Sequence, residues 1–246
     1  MTIDTVLFDL DDTLCDQRAA RWRAQQKISG LLTARGVSAP AAFWEDFDRS
    51  EPALFRQFAD GEISKDDYRL GRFSRILPAH LPAPLTPADI ARTAAEANTL
   101  YLDSANSDIE LFDDALPALD RLDELGVRAA VFTNGPSDGQ RRKLRALGLD
   151  RRITDIFISE ELGHAKPAPE SFAAVLTALG VTPDRVLMVG DSPDTDIAGA
   201  HAAGVQALLL NRHHPTLPHS DTLTTLRELG SHLAEMAGTA GTRPAP

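Results

Sequence analysis

The sequence predicts an α/β fold, a Rossmann-like parallel sheet into which an all-helical module is inserted. Two observations lead to this prediction. After residue 108, short apolar runs alternate with amphipathic stretches at helical spacing, which is typical of parallel strands joined by helices. A first apolar run at residues 5–8 stands about a hundred residues ahead of the others, and the segment between contains helical patterns only. The helices therefore interrupt the α/β domain.

The elements of the first half follow from local patterns. Residues 5–8 are β-branched and aromatic, which favours a buried strand, and they lead directly into an acidic run. Between residues 17 and 107, apolar residues recur at helical spacing, and Gly and Pro clusters punctuate the helices. We therefore expect a helical module over 17–107. The α/β core would comprise residues 1–16 and 108–237.

The second half alternates between strands and helices, and glycines end several of the helices. The last nine residues, 238–246, are rich in Gly, Thr, Pro and Ala and are expected to form a flexible tail. The predicted strands are 127–132, 153–158, 186–189 and 205–210, and the predicted helices are 114–125, 137–147, 170–179, 196–203 and 223–236.

Composition excludes several classes of protein. The 246 residues carry a formal net charge of −11, which argues against a nucleic-acid polymer or an anionic membrane as the main partner. A small phosphorylated ligand is still possible, because a few local groups can hold one phosphate. Cys15 is the single cysteine, so an intramolecular disulfide is impossible. The chain has no apolar run of about 18 residues and no basic, signal-like start, so we expect a cytoplasmic protein.

Polar residues follow the predicted strands, where ligands of open α/β sheets bind. Crowded carboxylates repel one another unless a cation neutralises them, and oxygen ligands without His or Cys suit Mg²⁺. A carboxylate nucleophile beside a metal, a hydroxyl and a lysine is suited to phosphoryl transfer through an aspartyl-phosphate. The residues concerned are Asp9, Asp11, Thr133, Asn134, Lys166, Asp191 and Asp196.

Four short motifs that contain these residues resemble, in their order along the chain, the motifs of the haloacid dehalogenase (HAD) superfamily. The four pieces are residues 9–13 (DLDDT), 133–135 (TNG), 166–167 (KP) and 190–196 (GDSPDTD). Each piece alone is a weak signal, but four in order are specific. Haloacid dehalogenases themselves need no metal and lack an aspartate two positions after the nucleophile. Because Asp11 is present in this chain, the resemblance is to the phosphatase branch, in a form with an inserted helical (C1-type) cap.

The resemblance implies a role for each motif residue. Asp9 would be the nucleophile and a Mg²⁺ ligand. Asp11 would act as general acid and then as general base, with its backbone carbonyl on the metal. Lys166 would offset negative charge on Asp9 and on the phosphoryl group.

The remaining motif residues would bind phosphate or metal. Thr133 and the Asn134 amide would hold phosphate oxygens together with Lys166. Asp191 would be a further metal ligand. Asp196 would orient the metal-bound waters or Lys166 without binding the metal itself.

The inserted module narrows the substrate class. Residues 43–64 and 69–77 resemble the cap of the pyrimidine 5′-nucleotidase and N-acylneuraminate-9-phosphatase group, which implies a nucleoside monophosphate or a sugar phosphate as substrate. Two alternatives remain open: a phosphomutase on the same core, and a phosphate-ester-binding module without catalysis. The sequence leaves monomer or homodimer undecided.

Overall fold

The computed structural model describes residues 3–212 and 221–239. The chain divides into two compact units. The first unit comprises the residues up to 16, residues 110–137 and those from 147 onward, and the second comprises residues 17–109 and 138–146. The predicted boundaries at 17 and 107 remain predictions. No pattern in the sequence predicts the grouping of 138–146 with the second unit.

Helices occur in both units. Those up to α5 and nearly all of α7 lie in the second unit, and the others lie in the first. In chain order they are α1 (Gln17–Ala34), α2 (Pro40–Ala59), α3 (Lys65–Ser74), α4 (Leu77–His80), α5 (Pro87–Ser107), α6 (Ala115–Glu124), α7 (Ser137–Ala146), α8 (Ser159–Leu162), α9 (Pro169–Leu179), α10 (Ala198–Ala202) and α11 (Leu229–Thr239).

In the part of the first unit that the structure describes, the strands form a parallel six-stranded sheet, so the predicted fold class is confirmed. The strands lie in the order β3-β2-β1-β4-β5-β6, with β1 in the interior. Their bounds are β1 (Thr5–Phe8), β2 (Arg128–Thr133), β3 (Asp155–Ile158), β4 (Val186–Gly190), β5 (Gln206–Leu210) and β6 (Thr222–Leu223).

The core of the first unit lies between the sheet and α9. All residues of β1 and β4 are buried, as expected of interior parallel strands. Phe132 of β2 and Phe172 of α9 meet edge to face, with ring centroids 5.2 Å apart. This packing fixes the helix that follows Lys166 against the sheet.

The chain after β5 differs from the prediction. A helix was predicted over 223–236, but residues 222–223 form β6, and α11 begins only at Leu229. Leu223 pairs with Leu210, and Thr225 caps a short 3-10 turn at Leu226–Glu228. β-Branched threonines at 222, 224 and 225 favour this extended start. α11 covers the first two residues of the predicted tail. The last seven residues of that tail, 240–246, lie outside the described residues.

The second unit has an aromatic core built by α2, α3 and α5. Phe43, Phe47 and Phe73 are fully buried and pack against one another. Pro87 and the Thr86–Asp89 capping box start α5. A helix with the length and hydropathy of a membrane span does not occur among residues 3–212 and 221–239.

Candidate active site

The candidate site lies where the strand order reverses. The chain leaves β1 for β2 on one side, whereas β4 lies on the other side of β1, and open α/β sheets bind ligands at such a switch point. Asp9 follows β1 directly, and Asp191 follows β4 directly. The backbone N–H of Asp9 donates to the carbonyl of Val189 at 2.9 Å. The two carboxylates therefore start from adjacent points at the carboxyl edge.

Lys166 joins two of the carboxylates. Its ammonium donates to Asp9 Oδ1 at 2.7 Å, to Asp196 Oδ1 at 2.6 Å and to the carbonyl of Phe132 at 2.8 Å. The residue is 4 % exposed. Burial would lower the pKa of Lys166, but Asp9 and Asp196 outweigh this effect and raise that pKa to about 12. Lys166 therefore remains a fixed positive charge beside Asp9.

The Asn134 side chain holds the backbone of Lys166. Its Nδ2 donates to the Lys166 carbonyl, and its Oδ1 accepts from the Lys166 N–H, both at 2.9 Å. The next amide, that of Gly135, donates to Ser159 Oγ at 2.9 Å. The side-chain amide of Asn134 thus links two loops at the carboxyl edge, so phosphate binding by this residue would fall to its backbone N–H. Thr133 ends β2 and is 1 % exposed.

The turn after β4 presents Asp196 to Lys166. Residues Pro193–Ile197 form one π-helical turn, a form that is frequent at functional sites. The second oxygen of Asp196 accepts from the Ser192 N–H at 3.0 Å. Both carboxylate oxygens of Asp196 are therefore engaged by protein donors, as expected of a residue that positions Lys166.

Three carboxylates form a group that could hold a cation. One oxygen each from Asp9, Asp191 and Asp196 lie within 4.8 Å of one another. Burial, then Asp196 and Asp12, raise the pKa of Asp191 to about 7. Burial also raises the pKa of Asp9, Lys166 opposes this rise, and the carboxylates of Asp196, Asp11 and Asp191 add to it. The three carboxylates together carry more negative charge than Lys166 can offset, and all of their ligand atoms are oxygens. Such a group of ligands fits Mg²⁺.

Asp11 lies in a tight turn that follows β1. The N–H of Asp12 donates to the carbonyl of Cys15 at 2.9 Å, and Asp12 adopts a left-handed φ of 57°, which aspartate tolerates. The buried Cys15 thiol donates to the carbonyl of Leu10 at 3.3 Å and lies 3.9 Å from Asp11 Oδ1. The turn thereby redirects the chain after Asp9. This change of direction is needed for the carboxylates of Asp9 and Asp11 to lie on the same side of the sheet edge.

The structure brings Asp9, Lys166, Asp191 and Asp196 together and places Thr133 and Asn134 at the ends of adjoining elements. Sequence reasoning missed two supporting contacts, the Phe132 carbonyl on Lys166 and the Ser192 amide on Asp196. A backbone carbonyl gives no signal in a sequence. Ser192 could have been found, because serine before a proline and an acidic run is a typical helix N-cap.

Comparison with known proteins defines the class. The family model for haloacid dehalogenase-like hydrolases matches residues 3–204. A ribulose-1,5-bisphosphate 5-phosphatase of Halopiger xanaduensis is 33 % identical over 84 % of each chain. The pyrimidine 5′-nucleotidase PynA of Streptococcus pneumoniae is 30 % identical over 85 % of this chain and 84 % of its own. A crystal structure of the HAD-hydrolase YfnB of Bacillus subtilis bound to magnesium has a TM-score of 0.71 and 26 % identity, covering 95 % of this chain and 99 % of that one.

The fold and the site define a hydrolase with an α/β core. The chain belongs to the haloacid dehalogenase-like hydrolase family. The predicted resemblance to the phosphatase branch of this superfamily is confirmed, and so is the prediction of an enzyme that hydrolyses phosphoric monoesters.

Proposed function

We propose that the protein is a Mg²⁺-dependent phosphatase that hydrolyses a small phosphorylated metabolite through a phosphoryl group on Asp9. The observation that carries this proposal is the position of Asp9. Its carboxylate is paired with the buried Lys166 at 2.7 Å and lies within 4.8 Å of the carboxylate oxygens of Asp191 and Asp196. A nucleophile held between a fixed cation and a cation-binding group is suited to attack an anionic ester.

The reaction divides between two aspartates. An oxygen of Asp9 attacks phosphorus and the ester P–O bond breaks, while Asp11 gives its proton to the leaving oxygen. Asp11 then removes a proton from water, which attacks the same phosphorus and releases phosphate and free Asp9. Lys166 compensates negative charge on Asp9 and on the transferred group throughout. Thr133 and the backbone N–H of Asn134 would bind the other phosphoryl oxygens.

Asp9, Asp191 and the backbone carbonyl of Asp11 would hold Mg²⁺. When bound, the ion would neutralise the crowded carboxylates and polarise phosphoryl oxygens. The raised pKa of Asp191, about 7, supports this assignment, because a carboxyl group that resists ionisation when buried gains most from a neighbouring cation. The magnesium-bound YfnB structure adds support from a relative.

The proposed substrates are nucleoside monophosphates or sugar phosphates. Among the relatives, one is a ribulose-1,5-bisphosphate 5-phosphatase and another a pyrimidine 5′-nucleotidase. Both names are those of enzymes that act on small phosphorylated metabolites. An overall charge of −11 leaves little attraction for a polyanion, so binding would depend on the local cation and amides of the site.

The test is phosphate release from nucleoside monophosphates, sugar phosphates and phosphoglycolate, with Mg²⁺ and with excess chelator. We expect release from one chemical class, lost with chelator. Asp9→Asn should lower kcat by about a thousandfold or more. The matched control is Asp184→Asn, because Asp184 is exposed and lies just before β4, away from the carboxyl edge.

Intact mass after acid quenching tests the covalent step. Wild-type protein should gain the mass of one phosphoryl group during turnover. After digestion, the added mass should be found on the peptide that contains Asp9. Isomerised sugar phosphate in place of free phosphate would favour a mutase instead. Tight ester binding without any product, or wild-type turnover by Asp9→Asn, would contradict the proposal.

A further inference from the structure

A buried ion pair outside the predicted motifs holds the turn that carries Asp11. Arg212 follows β5, and Asp114 precedes α6, so the two residues are 98 positions apart. The guanidinium donates to both carboxylate oxygens of Asp114 at 2.8 Å, and the two side chains are only 11 % and 6 % exposed. The same Nη2 donates to the carbonyl of Thr13 at 2.9 Å.

Asp114 is itself fixed by other donors. Thr225 Oγ1 donates to it at 2.6 Å, and the N–H of Leu226 donates at 2.9 Å. Burial alone would raise the pKa of Asp114, but the hydrogen bonds from Arg212, Thr225 and Leu226 outweigh burial and lower that pKa. Asp114 is therefore an anion that orients Arg212 in one direction.

Arg212 has little freedom to turn away from Thr13. Its guanidinium carbon lies 3.9 Å from the centroid of the Phe112 ring. The N–H of Phe112 donates in turn to the carbonyl of Leu14 at 3.0 Å, so the residue beneath Arg212 is tied to the same turn. A planar fork stacked on a ring and bound bidentately loses little further entropy when it binds a third acceptor.

Thr13 is the residue of this turn that Arg212 reaches. The turn runs from Asp11 to Cys15, which form a bridge with each other, and Thr13 lies at its centre. Thr13 is fully buried, and its own hydroxyl has no hydrogen-bond partner among the described residues. Its carbonyl is thus held by a charge two residues from Asp11. Displacing Thr13 would move the segment on which the Asp11 carboxyl depends.

We propose that Arg212 is a positioning residue for Asp11, acting through the carbonyl of Thr13, with Asp114 as the group that orients it. This inference rests on the proposed phosphatase function. Arg212 takes no part in phosphate or metal binding. Its loss should therefore reduce proton donation to the leaving oxygen more than the attack by Asp9.

The leaving group provides the test. An alkyl phosphate needs a proton on its departing oxygen as the P–O bond breaks, whereas p-nitrophenolate, whose phenol has a pKa of about 7, departs as an anion. We compare kcat/KM, which covers the steps up to phosphoryl transfer, for p-nitrophenyl phosphate and for uridine 5′-monophosphate or ribose 5-phosphate. The wild-type protein determines which alkyl ester is used, namely the one it hydrolyses faster.

Arg212→Met should lower kcat/KM roughly 10- to 100-fold on the alkyl ester and less than about threefold on p-nitrophenyl phosphate. Arg212→Lys keeps a positive charge within reach of one acceptor. It should therefore restore part of kcat/KM on the alkyl ester relative to kcat/KM on p-nitrophenyl phosphate. Asp114→Asn, which keeps the shape of the side chain, should change the ratio in the same direction. It also serves as the variant of choice if Arg212→Met fails to fold by circular dichroism.

Arg128→Met is the matched control. Arg128 also binds an aspartate, Asp155, with two nitrogens (2.7 and 2.6 Å) and donates to a carbonyl, that of Leu179, at 3.1 Å. It lies at the amino end of β2, opposite the carboxyl edge. Its loss should leave the ratio between the two esters unchanged.

The outcomes separate the inference from the function. An equal loss on both esters for Arg212→Met, or no loss on either, overturns the positioning role while the phosphatase stands. A changed ratio in Arg128→Met would also overturn it, because the effect would then be general. No turnover of either ester by the wild-type protein overturns the proposed function and this inference with it.

Discussion

Asp196 occupies the space that a side chain at Gly190 would need. A Cβ built on Gly190 would lie 2.2 Å from Asp196 Oδ2 and 2.6 Å from Asp196 Cβ. The glycine is thus required by close approach and not by a turn. Because the same oxygen accepts from the Ser192 amide at 3.0 Å, Asp196 cannot retreat without losing that bond.

Gly190→Ala should therefore displace Asp196 and release Lys166 from one of its two carboxylates. We expect kcat to fall by about tenfold or more, since a misplaced charge at the reacting centre is costly. Gly126→Ala is a control for the general cost of removing a glycine, because no atom of the described residues lies within 4 Å of a Cβ at that position. The Gly126 variant should keep its kcat, although its positive φ of 67° should reduce stability. Unchanged kcat in Gly190→Ala would mean that Asp196 does not act through Lys166.

Lys166→Met should remove the only cation that contacts Asp9 and Asp196 among the described residues. We expect kcat/KM to fall about a hundredfold or more, because the transferred phosphoryl group then meets uncompensated carboxylates. Lys166→Arg should not restore activity, since a planar fork cannot replace a compact ammonium with three buried acceptors. Lys27→Met, which changes a half-exposed lysine in the second unit, should keep wild-type kcat/KM. Wild-type activity in Lys166→Arg would show that the site does not require a compact ammonium with three acceptors.

Asp191→Asn should weaken magnesium binding. The amide keeps the shape of the side chain but removes one of the carboxylates that would hold the ion. We expect the Mg²⁺ concentration for half-maximal activity to rise by about tenfold or more. Asp194→Asn is the matched control, as Asp194 belongs to the same acidic run but is exposed and lies outside the carboxylate group. An equal shift in both variants would mean that net charge alone attracts the ion.

Much of the fold and the neighbourhood of the site could be predicted because both follow from short-range patterns. The strand before Asp9 and the strand before Asp191 are apolar runs, and the rule for parallel sheets places their carboxyl ends at one edge. By contrast, β6 has two residues, too few for any periodicity.

Contacts between distant segments could not be predicted either. Asn134 reaches the backbone of Lys166 across 32 positions, and Arg212 reaches Thr13 across 199. Neither spacing leaves a mark on hydropathy or charge patterning. The basic helix at 137–147 was predicted, but nothing in its sequence indicated that residues 138–146 group with the inserted helices.

Asp138 makes the contact that joins α7 to α3 within the second unit. Arg69 donates to its two oxygens at 2.9 and 2.8 Å, and Lys65 lies 3.4 Å away. The hydrogen bonds from Arg69 lower the pKa of Asp138 from 3.8 to about 2, and burial opposes them. Because the folded pKa is depressed, the stabilisation is fully present above about pH 4 and disappears as the pH falls toward 2.

We therefore expect Asp138→Asn to be less stable than wild type at pH 7, by a difference that shrinks below about pH 4 and is small at pH 2. The Asp138 side chain is 57 % exposed, so solvent screening limits the difference to about 1 kcal/mol. The measurement is urea unfolding followed by tryptophan fluorescence. Both tryptophans of the chain, Trp22 and Trp44, lie in the second unit, so the signal reports this unit alone.

Asp103→Asn is the control for this experiment. Arg142 lies on α7, like Asp138, and pairs with Asp103 of α5. The side chains of Arg142 and Asp103 are 42 % and 56 % exposed, and Asp103→Asn removes the charge that binds Arg142. The Asp103 variant should lose less stability than Asp138→Asn, because Arg142 makes one bond to its partner where the buried Arg69 makes two. A difference between Asp138→Asn and wild type that persists unchanged at pH 2 would show that the effect is steric. In that case the ionised carboxylate of Asp138 would not be what stabilises the unit.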